Sequence, residues 1–311
     1  MSTARVSAPT QPAHITVVVV AWNNWDLTRQ CLTSVQDAAY SSRDVILVDN
    51  GSSDATPQKA ANEFPNVKVE RLTANAGFAG GANRGLRRAM ASQRTQYILL
   101  LNNDTRVPAD LLQALVAEAE RDARIGVVTC RVDLADPHGR IWSIGSRKNR
   151  WLAPIDFAPW PIDSRLAATA HDVDYVLGAV MLVRVAALRA VGLFDERYFF
   201  YYEDLDLSLR LARAGYRLRY VPLPVVLHAG AATSGRETAL SEYHQGRSSV
   251  VFYATHGRGA RLAFGIYRVG SAVGRVARLC ARGHWRETGA YLRGTRDGLR
   301  TLREHPRPVI A

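Results

Sequence analysis

Three acidic clusters and one histidine stand where apolar runs end, the places from which side chains can reach a ligand. Asp49-Asn50-Gly51-Ser52-Ser53-Asp54 follows Val45-Ile46-Leu47-Val48, and its side chains can hydrogen-bond a nucleobase or a ribose. The plain alternative is a strand-to-helix turn in which Asp54 caps the helix that carries Pro57. Asn102-Asn103-Asp104-Thr105 follows Ile98-Leu99-Leu100-Leu101. An acid at the tip of a buried strand can hold a hard cation, which takes oxygen ligands and bridges a diphosphate; the competing role is a cap on the next helix. Glu203-Asp204-Leu205-Asp206 opens a helix that continues through Leu207, Leu209 and Leu211. Dipole compensation accounts for first-turn acids at about 0.3–1 kcal/mol each. Three acids behind Arg197-Tyr198-Phe199-Phe200-Tyr201-Tyr202 exceed that need, and a carboxylate among water-excluding rings can act as a general base. His228, after Val225-Val226-Leu227, is by type more often structural than ligating, yet imidazole is a common metal ligand.

A fourth segment, Asn75-Ala76-Gly77-Phe78-Ala79-Gly80-Gly81-Ala82-Asn83-Arg84-Gly85, is denser in glycine than helix packing requires. Small residues at a helix start let backbone N–H groups approach a ligand. No Gly-Lys-Ser/Thr follows, so this is not a Walker loop, and its place after the third strand removes the dinucleotide fingerprint.

The elements that must hold these clusters alternate. Ile15–Ala21 is an unbroken β-branched run, as expected of a strand buried on both faces. Asn23-Asn24 then leads into a helix with Leu27, Cys31, Leu32 and Val35 on one side. Further strands are expected at Val45–Val48, Val67–Leu72, Tyr97–Leu101 and Ile125–Thr129, with helices near 55–63, up to Ala91, and from Pro108 to about Arg121. The pattern predicts an α/β fold with a mostly parallel central sheet and flanking helices. Ligands of such sheets sit beyond the carboxyl ends of the strands, where the clusters after strands two, three and four converge. Residues 131–172 are expected as an irregular insertion, whose Trp142, Trp151 and Trp160 are either core or the lining of a sugar site. Order resumes at Val173.

At 311 residues and 47% apolar, the chain has enough hydrophobic residues for a sizeable core. No stretch approaches the ~18 apolar residues of a membrane-spanning helix. Residues 1–13 are expected to be a disordered lead-in, without the basic-then-apolar order of a secretory signal. Cys31, Cys130 and Cys280 are far apart and odd in number, which suits a reducing cytoplasm. Charge is uneven. Residues 257–311 hold twelve arginines against Glu287, Asp297 and Glu304, and so most of the net +12. In this tail Leu262, Ile266, Val269, Val273, Val276 and Cys280 recur at helical spacing. Arg261, Arg268, Arg275 and Arg282 repeat every seven residues beside them, with a second series at Arg286, Arg293 and Arg300. Either an anionic membrane surface receives this helical tail, or it packs on the preceding domain or a second copy. Charge alone leaves membrane and nucleic acid both open.

Taken in order, the motifs resemble glycosyltransferase family 2, most closely a rhamnosyltransferase-like branch. The matching segments are Val18-Val19-Val20-Ala21-Trp22-Asn23, Val48 to Asp54, Asn75 to Gly85, Leu101 to Thr105 and Gly178-Ala179-Val180-Met181-Leu182-Val183-Arg184. Val191 to Arg197, Glu203 to Asp206, Ala214-Gly215-Tyr216, Tyr220-Val221-Pro222 and His228 complete the set. The resemblance implies a GT-A, Rossmann-like domain over 14–256 and an inverting transfer of sugar from a nucleotide-sugar donor, with dTDP-rhamnose favoured. It implies donor contacts from Val20, Trp22, Asp49, Asn50, Asn75, Gly77, Asn83, Asn102, Asn103 and Arg247, the last by position only. Many relatives carry a second Asp where Asn50 stands, and Asn102 replaces the first acid of the family's Asp-x-Asp. Asp104 with His228 would hold Mg²⁺ or Mn²⁺, Asp204 would be the catalytic base, and Glu203 and Gly178 would lie on the acceptor side. The implied acceptor is a glycan or polyprenyl-linked saccharide, with no nucleic acid expected. The implied place is the cytoplasm, with a peripheral position on the inner face of the cell membrane. Two other readings compete. A nucleotidyltransferase needs a glycine-rich basic loop that Ala21-Trp22-Asn23-Asn24 does not offer, and a non-catalytic binding module leaves Asp104 and the 203–206 acids without a role.

Overall fold

The computed structural model describes residues 12–136, 140–146, 164–230, 238–256 and 261–308, with the side chains of 261–268 excepted. Residues 1–11 of the expected lead-in, Trp151, Trp160 and the side chains of Arg261, Leu262, Ile266 and Arg268 lie outside that set.

The first half follows the expected alternation. It comprises β1 (Ile15–Ala21), α1 (Trp25–Gln36), β2 (Arg43–Asp49), α2 (Thr56–Glu63), β3 (Val67–Arg71), α3 (Gly77–Met90), β4 (Tyr97–Asn102), β5 (Thr105–Arg106), α4 (Leu111–Ala119) and β6 (Ile125–Leu134). Then come β7 (Ile141–Ser143), α5 (Ser164–Ala167), β8 (His171–Val173), β9 (Val180–Arg184), α6 (Val185–Val191), α7 (Glu203–Arg213) and β10 (Arg217–His228). Three long helices close the chain: α8 (Ala239–His256), α9 (Arg261–Ala281) and α10 (Trp285–Glu304).

One sheet runs β3-β2-β1-β4-β9-β6-β10-β5. Strands β3, β2, β1, β4, β6 and β10 point the same way, while β9 runs antiparallel between β4 and β6. Every residue of β1 is buried because both faces of the sheet are covered. Val17 and Val19 pack with Cys31, Leu32, Leu112 and Leu115 on one side, and Val18 and Val20 with Ala82, Leu86, Leu188 and Leu207 on the other. Each such side chain contributes about 1.5–3 kcal/mol of burial, so the alternation of β1 welds the two helical layers to one sheet.

Three features differ from the sequence expectation. Strand β9 separates β6 from β4, so the fifth strand is not the direct neighbour of the fourth. Strand β6 continues to Leu134, since Cys130, Val132 and Leu134 are all buried, and the stretch expected to be irregular adds β7 and β8 to the sheet. Helix α4 begins at Leu111, three residues beyond Pro108.

The basic tail is no loose appendage. Helix α10 lies along α8, where a Cβ on Gly294 would collide with the Tyr243 carbonyl and one on Gly246 with the Tyr291 carbonyl. Tyr243 donates to Asp297 at 3.1 Å, and Arg197 donates to the His305 carbonyl at 3.3 Å. Arg275, a member of the seven-residue arginine series, is turned inward: it binds Glu242 at 2.5 and 2.7 Å and lies over the Tyr291 ring. The buried Glu242 carboxylate needs that partner, which overrides the seven-residue repeat.

Candidate active site

Strands β1, β2, β4 and β10 end at the same rim, and their exits are laced together. Asn23 and Asn24 take left-handed backbone after β1, with φ of 57° and 64°, a conformation asparagine tolerates. The turn lets the Asn23 N–H donate to Ser52 Oγ at 2.7 Å, and its side-chain oxygen accepts from the Ser53 N–H at 2.8 Å. Ser52 N–H in turn donates to Asp49 Oδ1 at 3.1 Å. Asp49 is fully buried, its Oδ2 has no hydrogen-bond partner, and the Arg71 guanidinium is 3.4 Å away. Asn103 ties the β4 exit to α1 by donating to Thr28 Oγ1 at 2.8 Å. Trp22 stands exposed at this rim, whereas Val20 is buried beneath Gly81.

The glycine-rich segment is held by close internal packing and hydrogen bonds. Asn50 is buried and clamps the turn before α3: its amide donates to Asn75 Oδ1 (3.1 Å) and the Gly77 carbonyl (2.9 Å) and accepts from the Ala76 N–H (3.0 Å). Gly77 has φ 73°, and a Cβ there would strike the Phe199 carbonyl and ring. Asn83, 0% exposed, donates to the Phe194 carbonyl and Glu196 and accepts from the Phe194 N–H. Asn50 thus braces the turn before α3, and Asn83 ties α3 to Phe194 and Glu196.

At the β4 exit the side chain of Asn102 is half-exposed and Asp104 is buried. His228, at the end of β10, brings Nε2 to 3.2 Å from Asp104 Oδ1. Pairing of Thr105 with His228 across β5 and β10 sets that approach. Burial raises the Asp104 pKa, with the His228 charge opposing, and burial lowers that of His228, with Asp104 opposing. The Gly230 N–H donates to Nδ1 at 2.9 Å, so a neutral ring carries its proton on Nε2, facing the carboxylate. Trp142 of β7 stacks on this imidazole at 4.2 Å and is 37% exposed.

Asp204 lies in the first turn of α7, after Tyr201 and Tyr202 with φ of 67° and 72°. Aromatic residues in that region cost about 1–3 kcal/mol each, and such strain clusters at functional sites. Asp204 Oδ2 accepts from Tyr175 Oη (2.9 Å) and the Gly178 N–H (3.0 Å), and Oδ1 accepts from the Leu205 N–H (2.8 Å). Burial raises its pKa above the ordinary aspartate range, and these donors only partly offset that. Glu203 is pushed well above its ordinary value by burial and the adjacent Asp204, and its Oε2 lacks a partner. Asp206 is held below the ordinary range: burial is outweighed by His256 at 2.7 Å and Arg210 at 2.8 Å. The Asn102 N–H donates to Ala179 O at 3.2 Å, one residue from Gly178, so a short backbone path joins the β4 exit to Asp204. Asp104, His228 and Asp204 therefore belong to one rim.

Arg247 donates to the Arg197 carbonyl at 2.8 Å, on the α8 side of the 194–202 segment. Sequence reasoning missed Tyr175 and Thr28; lone hydroxyls carry no motif, and only their partners reveal them.

A family model described as Glycosyl transferase family 2 matches residues 16–190. The chain belongs to glycosyltransferase family 2. It is 32% identical over 259 residues to an N-acetylglucosaminyl-diphospho-decaprenol L-rhamnosyltransferase of Mycobacterium tuberculosis, covering 76% of this chain and 83% of that protein. Among solved structures, it is similar to the mannosyltransferase PcManGT from Pyrobaculum calidifontis in complex with GDP-Man and Mn²⁺. The TM-score is 0.58 at 18% identity, over 93% of this chain and 88% of that one. GalNAc-T7 with UDP, GalNAc and Mn²⁺ gives a TM-score of 0.61 at 18% identity, over 82% of this chain and 52% of that one. This glycosyltransferase thus has the GT-A fold that its motifs led us to expect.

Among the described residues no group of three or more His, Cys, Asp or Glu is placed to hold a metal. Asp104 and His228 set one hard oxygen and one imidazole 3.2 Å apart, and Nε2 becomes a cation donor once the ring proton moves to Nδ1 and the Gly230 N–H turns away from it. A two-donor set leaves the remaining positions to a diphosphate and water, the arrangement that hard cations favour with phosphates.

Proposed function

We propose that this family 2 glycosyltransferase moves an L-rhamnosyl group from dTDP-rhamnose to a hydroxyl of a polyprenyl-diphosphate-linked saccharide, with inversion at the anomeric carbon. The observation that carries the mechanism is the single rim shared by Asp204 and the Asp104–His228 pair. The similarity to the mycobacterial rhamnosyltransferase supports the donor sugar and the lipid-linked acceptor.

Asp204 would accept the proton of the acceptor hydroxyl as that oxygen bonds to the anomeric carbon and the carbon–oxygen bond to the diphosphate breaks. Three donors orient its carboxylate, and a raised pKa makes it a stronger base than an exposed aspartate. Asp49, whose Oδ2 accepts no hydrogen bond, and Trp22 would receive the nucleoside, and Asn102 would accept from the ribose. Asp104 and His228 would hold Mg²⁺ or Mn²⁺, which supplies positive charge to the leaving diphosphate when bound. The basic C-terminal segment would keep the enzyme at the anionic leaflet that carries such an acceptor.

The test offers dTDP-rhamnose, UDP-sugars and GDP-sugars in turn with a polyprenyl-diphosphate N-acetylglucosamine acceptor and Mn²⁺. Mass spectrometry should show one added deoxyhexose from dTDP-rhamnose alone. Transfer from a UDP- or GDP-sugar instead would replace the donor assignment.

A further inference from the structure

Trp285, Leu292 and Leu299 stand seven residues apart on α10 and are 68%, 53% and 52% exposed. Seven residues fall about 20° short of two full turns, so the three side chains form one line along the helix, about 21 Å from end to end. The opposite face, with Tyr291, Gly294, Gly298 and Thr301, is buried. Arg286, Arg293 and Arg300 flank the apolar line, Arg296 and Arg303 stand within it, and all five are exposed. Val269 and Val273 of α9 are also exposed, at 63% and 62%.

Resting on the lipid-linked acceptor proposed above, we infer that this outer ridge of α10 seats the enzyme on an anionic phospholipid bilayer. Trp285, Leu292 and Leu299 enter the boundary between headgroups and acyl chains, and the arginines meet the headgroup phosphates. A helix with a large apolar line, a basic flank and a rigid inner attachment lies in the interface plane rather than crossing it. No described helix is long and apolar enough to cross a membrane. Charge selects the occupant. With twelve arginines against three acids in 257–311, two copies pairing through this ridge would bring arginine against arginine. A nucleic acid would use the arginines and leave Trp285 and both leucines in water. An anionic leaflet satisfies both kinds of side chain, and each arginine near it adds attraction that salt weakens.

The experiment is co-sedimentation of the full chain with phosphatidylglycerol-rich vesicles and with pure phosphatidylcholine vesicles. We expect binding to the first only, reduced by high salt. The triple variant Trp285→Ser/Leu292→Ser/Leu299→Ser should bind on the order of a hundredfold more weakly. Unchanged thermal unfolding would show that its fold is intact, and Arg293→Gln/Arg300→Gln provides a second test through charge alone, expected to weaken binding roughly thirtyfold. Equal binding by wild type and both variants, equal binding to neutral vesicles, or no binding by the full chain would each overturn the ridge. A wild-type dimer in vesicle-free solution that the triple variant abolishes would assign the face to a second copy instead. Turnover of a short-chain, water-soluble acceptor tests the transferase reading separately, because it needs no membrane.

Discussion

Asp204 must release its proton before it can take one from an acceptor, yet its surroundings make it hold protons more tightly than an exposed aspartate does. Tyr175, Gly178 and Leu205 set the compromise, because each donates to the carboxylate and favours its charged form. Asp204→Asn keeps the shape and an acceptor oxygen for these donors but removes the base. Its kcat should fall by roughly 10²–10⁴-fold, while donor affinity, measured by calorimetry, stays near wild type. Near-normal turnover would remove Asp204 from the chemistry. Tyr175→Phe tests the tuning. Loss of one donor to the charged form moves the folded pKa further up, so the acidic limb of the kcat profile, where activity falls as Asp204 is protonated, should shift to higher pH. A lower but unshifted profile would give Tyr175 a packing role only. At this scale the acids were legible because they end apolar runs. The amides of Asn50 and Asn83 were not: their partners stand as far as 27 and 113 residues away, and composition cannot tell a ligand contact from a buried brace.

Among the elements, the β–α alternation through 130 was legible from period and apolar run length, since β1, β2, β4 and β6 are covered on both faces and the edge strand β3 alternates with one buried side. Strand β9 escaped notice although Val180-Met181-Leu182-Val183 is as apolar as β4. Its antiparallel insertion between β4 and β6 is a tertiary choice that no local pattern records. The same limit hid the α8–α10 contact. Gly246 and Gly294 weaken a helix on propensity, by about 1 kcal/mol each, and nothing local in the sequence marks them as a contact. In the structure they are what lets two backbones meet. Gly294→Leu should therefore cost more than any helix propensity it gains. We expect a Tm several degrees lower and faster proteolysis after Ala281, compared with a half-exposed control such as Gly289→Ala, where a Cβ meets only the end of the Arg293 side chain. An unchanged Tm would mean that α10 is not seated on α8 as described.

For the molecule as a whole, the 194–202 segment ties the catalytic turn of α7 to the C-terminal helices. Arg197, almost fully buried, pairs with Asp195 at 2.7 Å and donates to the His305 carbonyl, while Arg247 of α8 donates to the Arg197 carbonyl. Ser248 reaches the Phe200 carbonyl at 2.8 Å, and His256 reaches Asp206 at 2.7 Å. Helix α8 thus touches both sides of the strained Tyr201-Tyr202 turn that presents Asp204, and α10 covers the face of α8 turned away from it. A charge-rich tail invites deletion as if it were a tether. Removing 257–311 would instead uncover the buried stripe of α8 around Tyr243, Gly246 and Val250, and strip Arg197 of a carbonyl partner. The expected outcome is a protein that unfolds at lower temperature and loses transfer even to a water-soluble acceptor, whereas the surface variants of α10 keep both properties. A truncated chain with wild-type Tm and full turnover would make the tail a tether after all, and the catalytic turn self-supporting.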